Sequence, residues 1–173
     1  NVEWIEKANK MDLIIVPSLH VKKTLERTGE IKPPVEVIHE SFHEEILNDN
    51  IQHLDISIDT DFNFLIVGQI TGSDPECDRK NLFYTLKWMC DVFKDDPDVG
   101  IMLKTNNGKN TAIDRQLTKK LINDLVKEVR PGPYPKIHLI HGHLTPAEIS
   151  SLYTHPKASC FVSLTRGEGF GLP

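Results

Sequence analysis

Three short segments gather the groups that could do chemistry. The first is Thr165-Arg166-Gly167-Glu168-Gly169-Phe170-Gly171-Leu172-Pro173, with glycine at alternate positions and one carboxylate between them. Alternate glycines let a backbone approach a ligand with no Cβ in the way. Pro173 suits the first turn of a helix. Free N–H groups at such a turn attract phosphates and polarised hydroxyls, and Glu168 could accept hydrogen bonds from a ligand's hydroxyls. The run departs from the dinucleotide pattern G-x-G-x-x-G because Leu172 stands where the last glycine belongs. The second segment joins Gly68-Gln69 to Arg79-Lys80-Asn81, and the third is His141-Gly142-His143. His141 and His143 without a third ligand make a poor zinc site; they read first as surface residues, with a loop that lines a ligand pocket as the alternative.

Two further patterns imitate metal chemistry. His39-Glu40-Ser41-Phe42-His43 is an H-E-x-x-H, which on a helix would put two imidazoles on one face for zinc with Glu40 as general base. Pro33-Pro34 and the alternation of Val35 to Ile38 favour a strand running into His39, and Ile46 fills the position where an extended motif needs glycine. Asp59-Thr60-Asp61 precedes its strand, so it lies at the wrong end of a sheet for catalysis and reads as a solvated turn.

The elements that must position these groups follow from periodicity. Trp4, Ile5, Ala8 and Met11 are helically spaced, and Leu13 to Ser18 is a continuous apolar run suited to a buried parallel strand. Ser18 caps a helix that Gly29 ends. Residues 43–60 are polar, acidic and without period, which predicts a linker. Strands are expected over 62–70, 100–105, 136–142 and 159–165, with helices over 81–93, 111–129 and from Thr145 onward. Thr145-Pro146-Ala147-Glu148 has the cap, the N1 proline and the N3 acid of a helix start. Strands alternating with helices predict an α/β fold, a Rossmann-like doubly wound parallel sheet, with a partial second α/β segment at the N-terminus. Ligands of such sheets bind outside the carboxyl ends of the strands. All three chemistry-bearing segments fall at strand exits.

Composition excludes several classes. The chain has 173 residues, a net charge of −5 and 39% apolar residues, too aliphatic for a disordered chain. Mild acidity argues against a nucleic-acid binder, and no apolar run approaches the 18 residues of a membrane span. The first ten residues lack the apolar core of a signal peptide. Three cysteines with no C-x-x-C pair predict inert thiols in a reducing cytoplasm.

The run Gly167 to Pro173, GEGFGLP, resembles the signature of retaining glycosyltransferases of the GT-B class, the glycosyl transferases group 1 family. VGQI followed by Arg79-Lys80-Asn81, and HGHLTPAEISSLY before the last strand, are similar to that family's donor-binding domain. The resemblance implies the tail of an N-terminal, acceptor-side domain over 1–42, the linker over 43–60, and a C-terminal donor-binding domain over 61–173, cut short. It implies transfer of a sugar from a UDP-, GDP- or ADP-sugar to a glycan, lipid or small-molecule acceptor with retention, and needs no metal or other cofactor. Lys80 matches the residue that holds the donor diphosphate, and Glu168 the first glutamate of an E-x7-E pair, which contacts the sugar. The second glutamate would fall at position 176. Gly68 and Gln69 lie where the family has glycine and then arginine, so Arg79 is expected to supply the missing charge. Gly169, Phe170, Gly171 and Leu172 would present backbone to the diphosphate and sugar, with His141 and Gly142 lining the nucleotide pocket. The chain is thereby expected to be a fragment that does not turn over alone, its parent cytoplasmic or peripherally membrane-associated. A zinc hydrolase built on residues 39–43, or a non-catalytic sugar-nucleotide-binding domain, are the competing expectations.

Overall fold

A computed structural model describes residues 2–42, 44–48, 50–70, 74–130 and 132–168. Its contacts divide the chain into two units, the first ending at Phe42. In the first unit, α1 (Val2–Ala8) leads to β1 (Ile14–Val16), α2 (Leu19–Thr28) and β2 (Val35–Val37). The two strands pair in parallel, Ile14 opposite Val35 and Val16 opposite Val37. α2 starts where expected, because the Ser18 hydroxyl accepts from Val21 N at 3.2 Å. Val16 and Val35 are buried, whereas Trp4 is 71% exposed.

The second unit carries β3 (Phe62–Val67), α3 (Leu82–Val92), β4 (Val99–Lys104), α4 (Ala112–Val129), β5 (Lys136–Ile140), α5 (Pro146–Tyr153) and β6 (Cys160–Phe161). All pairings are parallel and the strand order is β5-β4-β3-β6. β4, central and entirely buried, is apolar from Val99 to Leu103 apart from Gly100, as a strand covered on both faces must be. Alternation then sorts the side chains. Ile66, Ile101 and Leu103 meet Leu82, Leu86, Met89, Ile122 and Val126 of α3 and α4 on one face. Leu65 and Met102 meet Leu152 of α5 on the other.

That second face has a further cover. Ile58 is buried against Leu65 and Met102, with Leu54 and Ile56 packed beside it. The Ser150 hydroxyl donates to Ile46 O at 3.0 Å, and the imidazole Nε2 of His155 lies 3.2 Å from Leu54 O. Of the segment 43–60 read as a linker, Leu54, Ile56 and Ile58 thus pack onto the second unit and Ile46 bonds to it; three aliphatic residues at alternate positions (54, 56, 58) are too few to register as a period. The last strand is also shorter than the expected 159–165. Leu164 O is taken by Asn81 Nδ2 and Arg166 N by Arg79 O, so the chain leaves the ladder after Val162 N bonds Leu65 O. Among the described residues no helix is long and apolar enough to cross a membrane.

Candidate functional site

The chain order β3-β4-β5 runs outward in one direction, and β6 returns to the other side of β3. The switch point therefore lies between β3 and β6, and open α/β sheets bind ligands outside the carboxyl ends of the strands at such a point. A cleft of about 500 Å³ occupies the exits, lined by Gly68, Gln69, Lys80, Lys104, Thr105 and Asn106, among others.

The β3 exit is shaped by Asp78, which is fully buried. Its carboxylate accepts from Lys80 N at 3.2 Å and Leu82 N at 2.7 Å, capping α3. Asn81, at φ 56°, turns the chain into α3 and aims its amide at Leu164 O, 3.0 Å away on the β6 exit. A second set of bonds completes the tie. Thr165 Oγ1 donates to Arg79 O at 3.1 Å, and an Arg79 guanidinium N–H to Gly167 O at 2.6 Å. Glu168 then receives both neighbouring cations, Lys80 Nζ at 2.6 Å and Arg79 at 3.3 Å. The Lys80 hydrogen bond, helped by Thr165 and Arg79, holds the Glu168 carboxyl below its usual range. Arg166 turns the other way: it bonds the Glu76 backbone carbonyl and lies over the Tyr84 ring, 5.7 Å from its centre.

The β4 exit forms the floor and a wall. Lys104 donates to Asn106 Oδ1 at 2.8 Å and to Gly142 O at 2.7 Å, and Asn106 Oδ1 also accepts from Gly142 N at 3.1 Å. The wall (106–110) is wound around Asp114, whose carboxylate accepts from Lys109 N and Thr111 N, both at 2.9 Å. Gly108, at φ +69°, passes so close that a Cβ would sit 2.4 Å from Asp114 Oδ1.

Of the residues singled out in sequence, Gly68, Gln69 and Lys80 line the cleft, and Glu168 is joined to it through Lys80. Arg79 shares Glu168 from outside, its side chain 52% exposed. Gly142 meets the cleft at Lys104, whereas His141 is absent from the lining; burial, then the Lys104 charge, pushes its imidazole below the usual value. Gly169, Phe170, Gly171 and Leu172 lie outside the described residues. Sequence reasoning passed over Asp78, Lys104, Asn106 and Asp114. Lys104 had a legible signal, a lysine closing an otherwise apolar strand.

The metal patterns resolve otherwise. Residues 38–42 are not helical, His39 Nδ1 lies 3.0 Å from Pro17 O, and His43 lies outside the described residues, so the helical geometry needed by a zinc hydrolase is missing from the described part of the motif. Asp59 pairs with Lys136 at the amino end of the sheet, far from the strand exits. The described residues contain no cluster of three metal-ligating side chains. Cys77, Cys90 and Cys160 are free thiols, Cys90 buried and the other two exposed. His138 and His155 serve packing: His138 Nε2 lies 3.1 Å from Thr60 Oγ1.

No family model and no curated protein matches the sequence. Among solved structures the chain is similar to the crystal structure of TarM, with a TM-score of 0.54 and 14% identity, over 99% of this chain and 28% of TarM. The likeness shows the fold, a Rossmann-like α/β architecture with parallel sheets. The chain spans under a third of TarM's length.

Proposed function

We propose that the second unit is the donor-binding half of a GT-B glycosyltransferase of the group 1 family, moving a sugar with retention from a UDP-, GDP- or ADP-sugar to an acceptor. The carrying observation is the meeting of Lys80 and Glu168, 88 residues apart in sequence, 2.6 Å apart at the switch point beside the cleft. TarM, which shares the fold, is a glycosyltransferase.

In this reading the bond between the sugar's anomeric carbon and a phosphate oxygen breaks while the acceptor oxygen bonds that carbon and its hydroxyl proton passes to the departing phosphate. Negative charge then grows on the departing nucleoside diphosphate. A cation preorganised at the strand exit offsets that charge without rearrangement at the moment of reaction. Lys80 is so held, because Glu168 and the Asp78 turn fix it from both ends. Glu168 has a second carboxylate oxygen facing Arg79 and is the group that orients sugar hydroxyls. Arg79 supplies the charge that Gln69 lacks, and Gly169 to Leu172 supply backbone N–H groups. The reading calls for no metal or other cofactor.

Calorimetry with UDP, GDP and ADP tests this. One of them binds the chain, Lys80→Ala weakens it at least tenfold, about 1.4 kcal/mol, and Arg79→Ala weakens it less. Failure of all three to bind at millimolar concentration overturns the proposal.

A further inference from the structure

The floor of the cleft holds an ammonium group that the reading above leaves unused. Lys104 is 5% exposed and lines the same cleft as Lys80. Its two partners, Asn106 Oδ1 and Gly142 O, are both neutral, and among the described residues no carboxylate pairs with it. A lysine has three donors, so one remains beyond these two bonds. Taking an ammonium out of water without a counter-charge is unfavourable, and burial accordingly pushes the Lys104 pKa down. Holding the β4 and β5 exits together does not explain the charge, since a neutral amide donor would bond the same two oxygens.

Thr105 adds an independent observation. It is 1% exposed, lines the cleft, and among the described residues its hydroxyl has no hydrogen-bond partner. Buried hydroxyls are normally satisfied, so an orphan on the residue next in sequence to an uncompensated cation, in the lining of the same cleft, points to a missing acceptor. The contrast with Lys80 is informative. Lys80 already has Glu168, while among the described residues Lys104 has no anion of its own.

We propose that Lys104 and Thr105 form an anion subsite on the cleft floor, taking one phosphate of a diphosphate whose other phosphate meets Lys80. The assignment of the ligand as a nucleoside diphosphate rests on the proposed function; the anion subsite does not.

The test is titration of the full chain with inorganic pyrophosphate and with UDP, GDP and ADP, comparing wild type, Lys104→Met and Thr105→Val. Pyrophosphate and one nucleoside diphosphate bind, Lys104→Met weakens both at least tenfold, and Thr105→Val weakens both several-fold. A folded Lys104→Met with unchanged affinities overturns the subsite and leaves the donor reading standing. Pyrophosphate binding that depends on Lys104, with no nucleoside diphosphate binding better, keeps the subsite and overturns the donor reading. Silence from every diphosphate overturns both. If Lys104→Met does not fold, the Lys104 side-chain NMR signal of wild type decides: it moves on saturation with pyrophosphate, and an unmoved signal overturns the subsite.

Discussion

Glu168 is one carboxylate shared by two cations, and the sharing has a pH signature. Its folded pKa lies below the ordinary glutamate value of 4.5, with the Lys80 hydrogen bond as the first cause. The pairing therefore contributes fully above 4.5 and is lost as pH falls through the lower folded value. The protection factor of the Arg166 amide, which bonds Arg79 O, is expected to fall in that acidic window and to be low already at neutral pH in Glu168→Gln. Lys104 gives the opposite end of the scale. Burial lowers its pKa from 10.5, so its charge opposes folding below the folded value and that penalty fades as pH rises toward 10.5. Denaturant titrations across the alkaline range show wild type gaining stability with pH relative to Lys104→Met, which is already relieved of the charge.

Elements at the exits depend on turns that side chains build. Thr111 and Asp114 form a capping box at the start of α4, the hydroxyl accepting from Asp114 N at 3.2 Å. Thr111→Ala is expected to cost about 1 kcal/mol in chemical denaturation. Asp114→Ala costs more, because its carboxylate also holds Lys109 N and with it the cleft wall. At the other end of β4, a Cβ on Gly100 would meet Asn63 Oδ1 and Thr60 Oγ1, each at 2.3 Å. Gly100→Ala therefore overpacks the entry of the central strand, at roughly 1–3 kcal/mol by the same measurement. A neutral effect would mean that the Thr60–Asn63 pair yields without strain.

For the whole molecule, the division at residues 42 and 43 makes a truncation prediction. A chain of residues 43–173 unfolds cooperatively, while one starting at 61 is markedly less stable. The second truncation strips Leu54, Ile56 and Ile58 from the face made by Leu65, Met102 and Leu152. Full burial of one such side chain contributes about 1.5–3 kcal/mol, so losing even Ile58 alone is measurable. Equal stability of the two truncations would return residues 44–60 to the role of a linker.

Periodicity and turn chemistry were enough to read the α/β class and, within a residue or two, the start of β3, α3, β4, α4 and the start of α5, because those signals are local: apolar runs, a 3.6-residue stripe, a capping box; β3 itself ends at Val67, three residues short of the expected Ile70. Strand-exit logic also picked out Gly68 and Lys80, which line one cleft, and Glu168, which pairs with Lys80. The pairing of Lys80 with Glu168, the capture of Leu164 by Asn81 and the burial of Lys104 are not local. They depend on β6 returning to the far side of β3, which brings loops almost 90 residues apart into hydrogen-bond range. Burial likewise depends on which segments cover a sheet face, and so the alternate aliphatic residues of 54–58 looked like a linker until Leu65 and Met102 gave them a surface to cover. Local chemistry names the groups; the strand order determines which of them meet.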